Sequence, residues 1–418
     1  MDMEDAAKRL ESVVVLFYCY ESLGAARAKE IAAEQRRLGA DLGLCGRVLV
    51  AAEGINGTVQ GPQASVTAYE AAVELRFPSG IDWKRSSGGS AALFPDFAVK
   101  EVPELVSFSI QTNDPLDIRR EAGVKLSPQD FDRLLKDTPS GQLRVIDVRN
   151  SFEYEVGHFE GAIDPGMQHT AQWPRFVEKN LEDLRGRNVL LYCTGGIRCE
   201  KASAYLCRRL RDSNKQEQNA TDVYQLGGGI HRYLEAFPEG GHFQGANFVF
   251  DRRAHMRPEA ASVVGSCSEC SVAWDTHHGG RVCCVCRALV LVCNDCDAAS
   301  GHGEYYCTEH SSLRGIYYHF VDRFTAEELK QQASALRAKL AAEVGTHRKN
   351  RRATLRKKAE QLEARLLELQ QMEEHGQAQV ALAVRRCRAC ERPYEECPGA
   401  CWGFWRREQG ADGLPVTL

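Results

Sequence analysis

Tyr192-Cys193-Thr194-Gly195-Gly196-Ile197-Arg198-Cys199-Glu200-Lys201-Ala202-Ser203 is the stretch that decides the fold of this chain. It follows Val189-Leu190-Leu191, an apolar run that predicts a buried strand, and it leads into a helical segment from Glu200 to Arg209. A strand–loop–helix sets Cys193 beside a helix N-terminus, where the dipole and free N–H groups favour negative charge. Gly195 and Gly196 let successive N–H groups turn inward as an anion nest, and Arg198 adds a fixed positive charge. All three effects lower a thiol pKa, so Cys193 reads as a thiolate nucleophile held in the loop Thr194, Gly195, Gly196, Ile197 and Arg198. Cys199 reads in two ways, as a thiol that resolves an oxidised or persulfidated Cys193 or as a small helix-packing residue. Lys201, with Arg198, could hold a phosphate or an anionic intermediate, or be a solvated helix residue. Arg208, Arg209 and Arg211 read as solvated surface.

Working outward, Val145–Arg149 and Val223–Leu226 predict two more short buried strands, with helical segments between them. Ser127 and Pro128 have the form of an N-cap followed by a first-turn proline. Residues 125–245 are therefore expected to form one α/β domain, a parallel sheet with flanking helices. Asp147 and Arg149, at a strand end, are expected to pin the following loop as an ion pair, with a catalytic role as the alternative. Upstream, strands near 13–18, 46–52, 58–61, 81–84 and 99–106 alternate with helices near 25–38 and 63–76. That order predicts a ferredoxin-like, split-βαβ α+β domain over residues 10–115.

The whole chain, 418 residues with 43% hydrophobic, 26% charged and a net charge of −4, has the composition of a soluble multidomain protein. Its apolar runs fall short of the ~20 residues that span a bilayer. The acidic start Met1-Asp2-Met3-Glu4-Asp5 lacks the basic character of a signal or transit peptide, so a cytoplasmic location and no membrane association are expected. In a reducing compartment the 17 cysteines, many in Cys-x-x-Cys pairs after residue 266, favour metal over disulfides. Cys267, Cys270, Cys293 and Cys296 predict one tetrahedral structural zinc site, interleaved with a second from Cys283, Cys286, Cys307 and His310. Cys284 and His277 are alternative ligands, and the zinc module is placed at 262–312. Thr325-Ala326-Glu327-Glu328 is a capping box that opens a helical or coiled-coil segment over 322–376, interrupted near Gly345. This extension offers a surface for a protein partner, and its run Arg348–Lys358 reads as cations for an RNA backbone, as a solvated basic helix or as a nuclear-type targeting run. A cysteine-rich tail at 384–403 carries Cys387, Cys390, Cys397 and Cys401 as a further candidate metal site.

Cys193-x-x-Gly196-x-Arg198 resembles the active loop of the rhodanese superfamily. The likeness takes in Asp147-Val148-Arg149, Glu153-Tyr154, Gly157 to Ala162 and the closing run Leu226-Gly227-Gly228-Gly229-Ile230. The stretch Tyr192 to Ser203 is similar, more closely, to the bacterial-type tRNA uridine(34) hydroxylase family. So are Ala52 to Thr58, Gly245 to Asp251 and the cysteine-rich stretch, together roughly residues 12 to 310. The resemblance implies a tRNA-modifying oxidoreductase that binds the anticodon arm. It would hydroxylate C5 of the wobble uridine with molecular oxygen as co-substrate, and the family's essential cysteine falls on Cys193. A thiosulfate or persulfide sulfurtransferase using the same cysteine is the alternative. A non-enzymatic zinc and coiled-coil interaction protein is a third reading, against which the intact Cys193, Gly195, Gly196 and Arg198 stand.

Overall fold

A computed structural model of the chain describes residues 12–89, 92–110, 116–212, 221–259, 261–283, 288–300, 305–313, 326–342 and 349–374. They fall into two compact units, Met1–Val264 and Gly265–Leu418.

The first unit begins with β1 (Ser12–Tyr20), whose alternation gives each face of a sheet its own task. Val15, Phe17 and Cys19 enter a core with Ile31 and Ala32 of α1 (Gly24–Asp41) and Val66, Tyr69 and Val73 of α2 (Gln63–Glu74). Leu16, Tyr18 and Tyr20 point the other way. β2 (Cys45–Ala51), β3 (Gly54–Pro62), β4 (Asp82–Gly89) and β5 (Phe97–Glu101) complete the sheet in the order β4-β1-β3-β2-β5. The first four strands have the split-βαβ arrangement, and β5 joins as an added edge strand parallel to β2.

A short α3 (Ile118–Glu121) and β6 (Val124–Leu126) lead into the second sheet. The Ser127 hydroxyl accepts from the Asp130 N–H at 3.1 Å and caps α4 (Pro128–Asp137). Then follow β7 (Leu143–Asp147), α5 (Ser151–Tyr154), β8 (Gly157–Phe159), α6 (Trp173–Leu184), β9 (Asn188–Tyr192), α7 (Ile197–Asp212), β10 (Val223–Leu226) and α8 (Gly229–Ala236). The sheet order is β6-β10-β9-β7, all parallel. Helices cover both faces, so the central strand β9 is apolar over Val189–Tyr192 instead of alternating. Leu190 and Tyr192 pack with Phe131, Phe159 and Ile230 on one face, while Leu191 and Cys193 pack with Trp173 and Leu206 on the other. The short strands β11 (Phe243–Gly245), β12 (Asn247–Phe248) and β13 (His255–Met256) close the unit. β6 escaped the sequence reading because it has only three residues and its Val124 is exposed, which leaves no apolar run.

In the second unit, isolated β-bridges such as Ser266 with Ala273 and Val282 with Leu289 hold the cysteine-rich segment, followed by α9 (Asn294–Ser300). Its small core is built on Cys267, Cys283, Val290, Val292, Cys293 and Tyr305. α10 (Ala326–Ala342) and α11 (Lys349–Glu374) pack Leu329, Ala333 and Leu336 against Leu355, Ala359 and Leu362. Thr325, Gly345 and Arg348 lie outside the described residues. No helix among the described residues is long and apolar enough to cross a membrane.

Candidate active site

Cys193 directly follows β9, and α7 begins already at Ile197, ahead of the expected start at Glu200, so Arg198 and Cys199 belong to its first turn. The N–H of Gly196 donates to the Cys193 sulfur at 3.1 Å. Gly196 has φ +100°, and a Cβ there would lie 3.0 Å from the Tyr18 hydroxyl, so both conformation and space require glycine. The closing run supports the loop from below. The Ile230 N–H donates to the Cys193 carbonyl at 2.9 Å, and a Cβ on Gly229 would meet that same carbonyl at 2.4 Å.

Burial pushes the Cys193 thiol up. The Cys199 thiol, the Arg198 charge and the N–H groups of Cys199 and Gly196 oppose it and bring Cys193 down to about 6. Burial and donation to its neighbour push Cys199 the other way, so Cys199 keeps its proton as the donor of the pair. A thiolate formed at about 6 is lost by protonation as pH falls through that value, and reactivity falls with it. The Cys199→Ala protein is expected to carry this limb to higher pH, because the alanine donates nothing to the sulfur. The Cys193-dependent ultraviolet absorbance of the thiolate, followed across pH, checks it.

Arg198 is fixed by a residue for which the sequence reading found no role. Its guanidinium makes a two-pronged ion pair with Glu153 at 2.7 and 2.8 Å and also donates to the Thr194 hydroxyl at 3.0 Å. Thr194 in turn donates to Glu153 at 3.3 Å. Burial raises the Glu153 carboxyl, but Arg198 and Arg149 outweigh this and hold it lowered, as a carboxylate. Glu153 also accepts from the Asn150 N–H at 3.1 Å, a capping-box contact whose sequence signal is Asn150-x-x-Glu153. Asp147 and Arg149 form a fully buried pair at 2.6 Å, and Arg149 donates to the Gly157 carbonyl, so this pair ties β7 to β8.

The N-terminal sheet lies over this loop. Leu16 packs against Gly195, Tyr18 donates to Glu200 at 3.0 Å, and Tyr20 donates to the Ile197 carbonyl at 3.3 Å. Arg232 of α8 reaches back to the Trp83 carbonyl at 2.7 Å. Cys193 is consequently 0% exposed. Lys201 departs from expectation: its ammonium is held by Glu53 at 3.1 Å, Glu104 at 2.6 Å and the Val106 carbonyl, so it clasps the two domains and binds no free anion. Arg208 and Arg211 pair with Glu121 and Arg209 with Glu178, so they brace the helix instead of standing free in solvent.

In the second unit the sulfurs of Cys267, Cys270, Cys293 and Cys296 lie within 4.8 Å of one another, and so do the ligand atoms of Cys283, Cys307 and His310. His277 is buried and belongs to neither group. Cys284, Cys286, Cys387, Cys390, Cys397 and Cys401 lie outside the described residues.

Three family models match in succession. They are the UPF0176 acylphosphatase-like domain at 12–105, the rhodanese-like domain at 127–236 and the rhodanese C-terminal domain at 244–310. Rhodanese-like domain-containing protein 6 of Arabidopsis thaliana is 37% identical over 273 residues, which is 61% of this chain and 46% of that longer protein. A tRNA uridine(34) hydroxylase of Corynebacterium urealyticum is 34% identical over 69% of this chain and 94% of its own length. One from Synechocystis is 33% identical over 68% and 98%. With nearly the whole length of those two enzymes matched and the rhodanese loop intact, the chain belongs to the tRNA uridine(34) hydroxylase family.

Proposed function

We propose that this protein hydroxylates C5 of the wobble uridine of tRNA, with Cys193 as nucleophile and molecular oxygen as co-substrate. The observation that carries the reading is the loop itself. A thiolate with four stabilising contacts sits in a chain whose matched relatives bear that activity's name. Uridine must leave the stack to reach such a buried sulfur, as it does in other base-modifying enzymes. Thiolate addition at C6 forms the S–C6 bond and moves the C5=C6 π pair toward the C4 carbonyl oxygen, which makes C5 electron-rich. Mass spectrometry of tRNA nucleosides from cells with and without the gene tests the reading. Loss of 5-hydroxyuridine derivatives supports it. Unchanged tRNA together with lost thiosulfate:cyanide activity would assign a sulfurtransferase instead.

Zinc fits the cysteine clusters. A tetrahedron with Zn–S bonds of about 2.3 Å has S···S edges of roughly 3.8 Å, and Cys270 and Cys293 are 3.7 Å apart. Four thiolates close the coordination sphere, so this metal is structural, and Cys286 would complete the second site beside Cys283, Cys307 and His310. We place the protein in the cytoplasm, with the tRNA, and read α10 and α11 as a coiled-coil hairpin that touches RNA.

The basic start of α11 supports that last point. Arg356 and Lys357 are exposed and Arg352 is half-buried, and none of the three has an ion-pair partner among the described residues. Further along, Arg337 pairs with Glu363 and Arg365 with Glu368. The apolar seam packs Leu329 and Leu336 against Leu355 and Leu362, which leaves cations at this end of α11. Replacing Arg352, Arg356 and Lys357 together by glutamine is expected to weaken tRNA binding roughly tenfold at physiological salt and to flatten the salt dependence by about 2 in log–log slope. A salt titration of tRNA affinity measures both.

A further inference from the structure

Lys84 is a lysine with 0% exposure. Lysine is almost never fully buried, because taking an ammonium out of water costs several kcal/mol in general. The core of the N-terminal domain is not where it lies. Lys84 on β4 stands directly across from Leu16 on β1, and cross-strand partners share a face. That face carries Leu16 against Gly195 and Tyr18 against Gly196 of the Cys193 loop.

The Lys84 ammonium bonds to the Asp82 carboxylate at 2.7 Å and lies 3.4 Å from the Asp82 carbonyl. It sits 4.8 Å from the centre of the Tyr18 ring, whose hydroxyl reaches the loop. An ammonium has three donors. Both oxygens that Lys84 meets belong to Asp82, which leaves one donor without an oxygen among the described residues. Burial and the nearby Arg232 charge depress the ammonium, Asp82 and Cys193 oppose them, and the net effect is a lysine readier than usual to release a proton.

We propose that Lys84 is a catalytic residue delivered by the N-terminal domain, the cationic donor for the pyrimidine oxygen that becomes anionic when Cys193 adds to the ring. The inference rests on the uridine reading above. In the step, the sulfur lone pair forms the S–C6 bond and the C5=C6 π pair passes through C4 to O4. O4 then accepts a hydrogen bond or the proton from the Lys84 ammonium. The N-terminal domain is thereby part of the active site as well as its cover. A donor aimed at developing charge is worth about 10²–10³ in rate.

The test uses the full-length protein and an anticodon stem-loop RNA carrying 5-fluorouridine at the wobble position, with covalent adduct formation as the readout. Lys84→Met is expected to slow adduct formation at least 100-fold, and Lys84→Arg to restore part of the rate by returning the charge. The methionine removes one partner of the Lys84–Asp82 pair, which generally destabilises, but the Asp82 carboxylate left behind is 29% exposed and can take up water. Thermal melting measures any loss of folding, and adduct formation is compared at a pH above the titration of Cys193 in each protein, because Lys84 and Cys193 feel each other's charge. Donation to substrate is thereby separated from a structural role and from a change in the thiolate. Wild-type rates in Lys84→Met would overturn the assignment of Lys84 and leave the uridine reading standing. A wild-type protein that forms no RNA adduct but takes sulfur from thiosulfate would overturn both, with the fault in the substrate. Should the methionine protein melt early, Lys84→Arg and Lys84→Gln carry the test together: folded proteins that both react as fast as wild type again remove Lys84 from the chemistry.

Discussion

Cys193→Ser protein is expected to fold normally and to leave the wobble uridines of its tRNA substrates without any 5-hydroxyuridine. The serine hydroxyl is smaller than the thiol but fits the same pocket, where Gly196 still offers its N–H. What disappears is the anion. The thiol ionises at about 6 in this loop, whereas an alcohol stays protonated throughout the physiological range and has no adjacent base to activate it. Glu153 cannot serve as that base, because Arg198 and Thr194 already occupy its oxygens. Introducing the variant into cells that lack the gene, followed by nucleoside mass spectrometry, measures the effect. A residual signal above the empty-vector level would mean that Cys193 is dispensable. Unchanged melting would place the loss in chemistry and not in stability.

The second large effect concerns the other unit. Cys293→Ser is expected to halve the bound zinc, from one ion at each of the two clusters to one in all, and to open the cysteine-rich segment to protease. Cys293 is buried, and its sulfur accepts the Cys296 N–H and lies 3.7 Å from the Cys270 sulfur, so the substitution removes the atom that meets both. The segment's core is only a few side chains around Val290, Val292 and Tyr305. Structural zinc contributes about 10–16 kcal/mol to the folding of comparable peptides, far more than such a core can supply. Metal analysis together with limited proteolysis reads the outcome, and a segment that resists protease without its metal would refute the structural role. Residues 12–264 should show the same proteolytic pattern in both proteins.

What the sequence made legible follows sequence distance. The Cys193 loop is contiguous, and strand, glycines, arginine and helix each have local causes, so it could be read directly. The cysteine pairs were legible for a similar reason, since metal geometry restricts spacing. Glu153 was not, although it orients Arg198, because its partner stands 45 residues away and the only local trace is a capping box. Lys201 misled for the opposite reason. Its neighbours in sequence suggested an anion site, but its carboxylate partners come from 148 and 97 residues upstream. Lys84 left no signal at all, because a lysine in a strand that alternates toward solvent and one that alternates toward a second domain have the same sequence pattern. The early start of α7 has a physical cause too: the N–H groups of Gly196 and Cys199 are turned toward the sulfur, and that requires helical geometry from Ile197 onward.

The complete covering of Cys193 has a consequence for how this protein meets reactive small molecules. A thiolate this acidic, left open to solvent, would be an early target for peroxide and for electrophiles, and its oxidation beyond the sulfenic stage would be irreversible. Under the face of Leu16 and Tyr18 it is screened until Tyr18–Glu200 and the Lys201 clasp let go. The rate at which a small alkylating reagent finds Cys193 in the resting protein therefore reports how often the two domains part, not how nucleophilic the sulfur is. In surveys that rank cysteines by labelling speed, this residue would pass for an inert one.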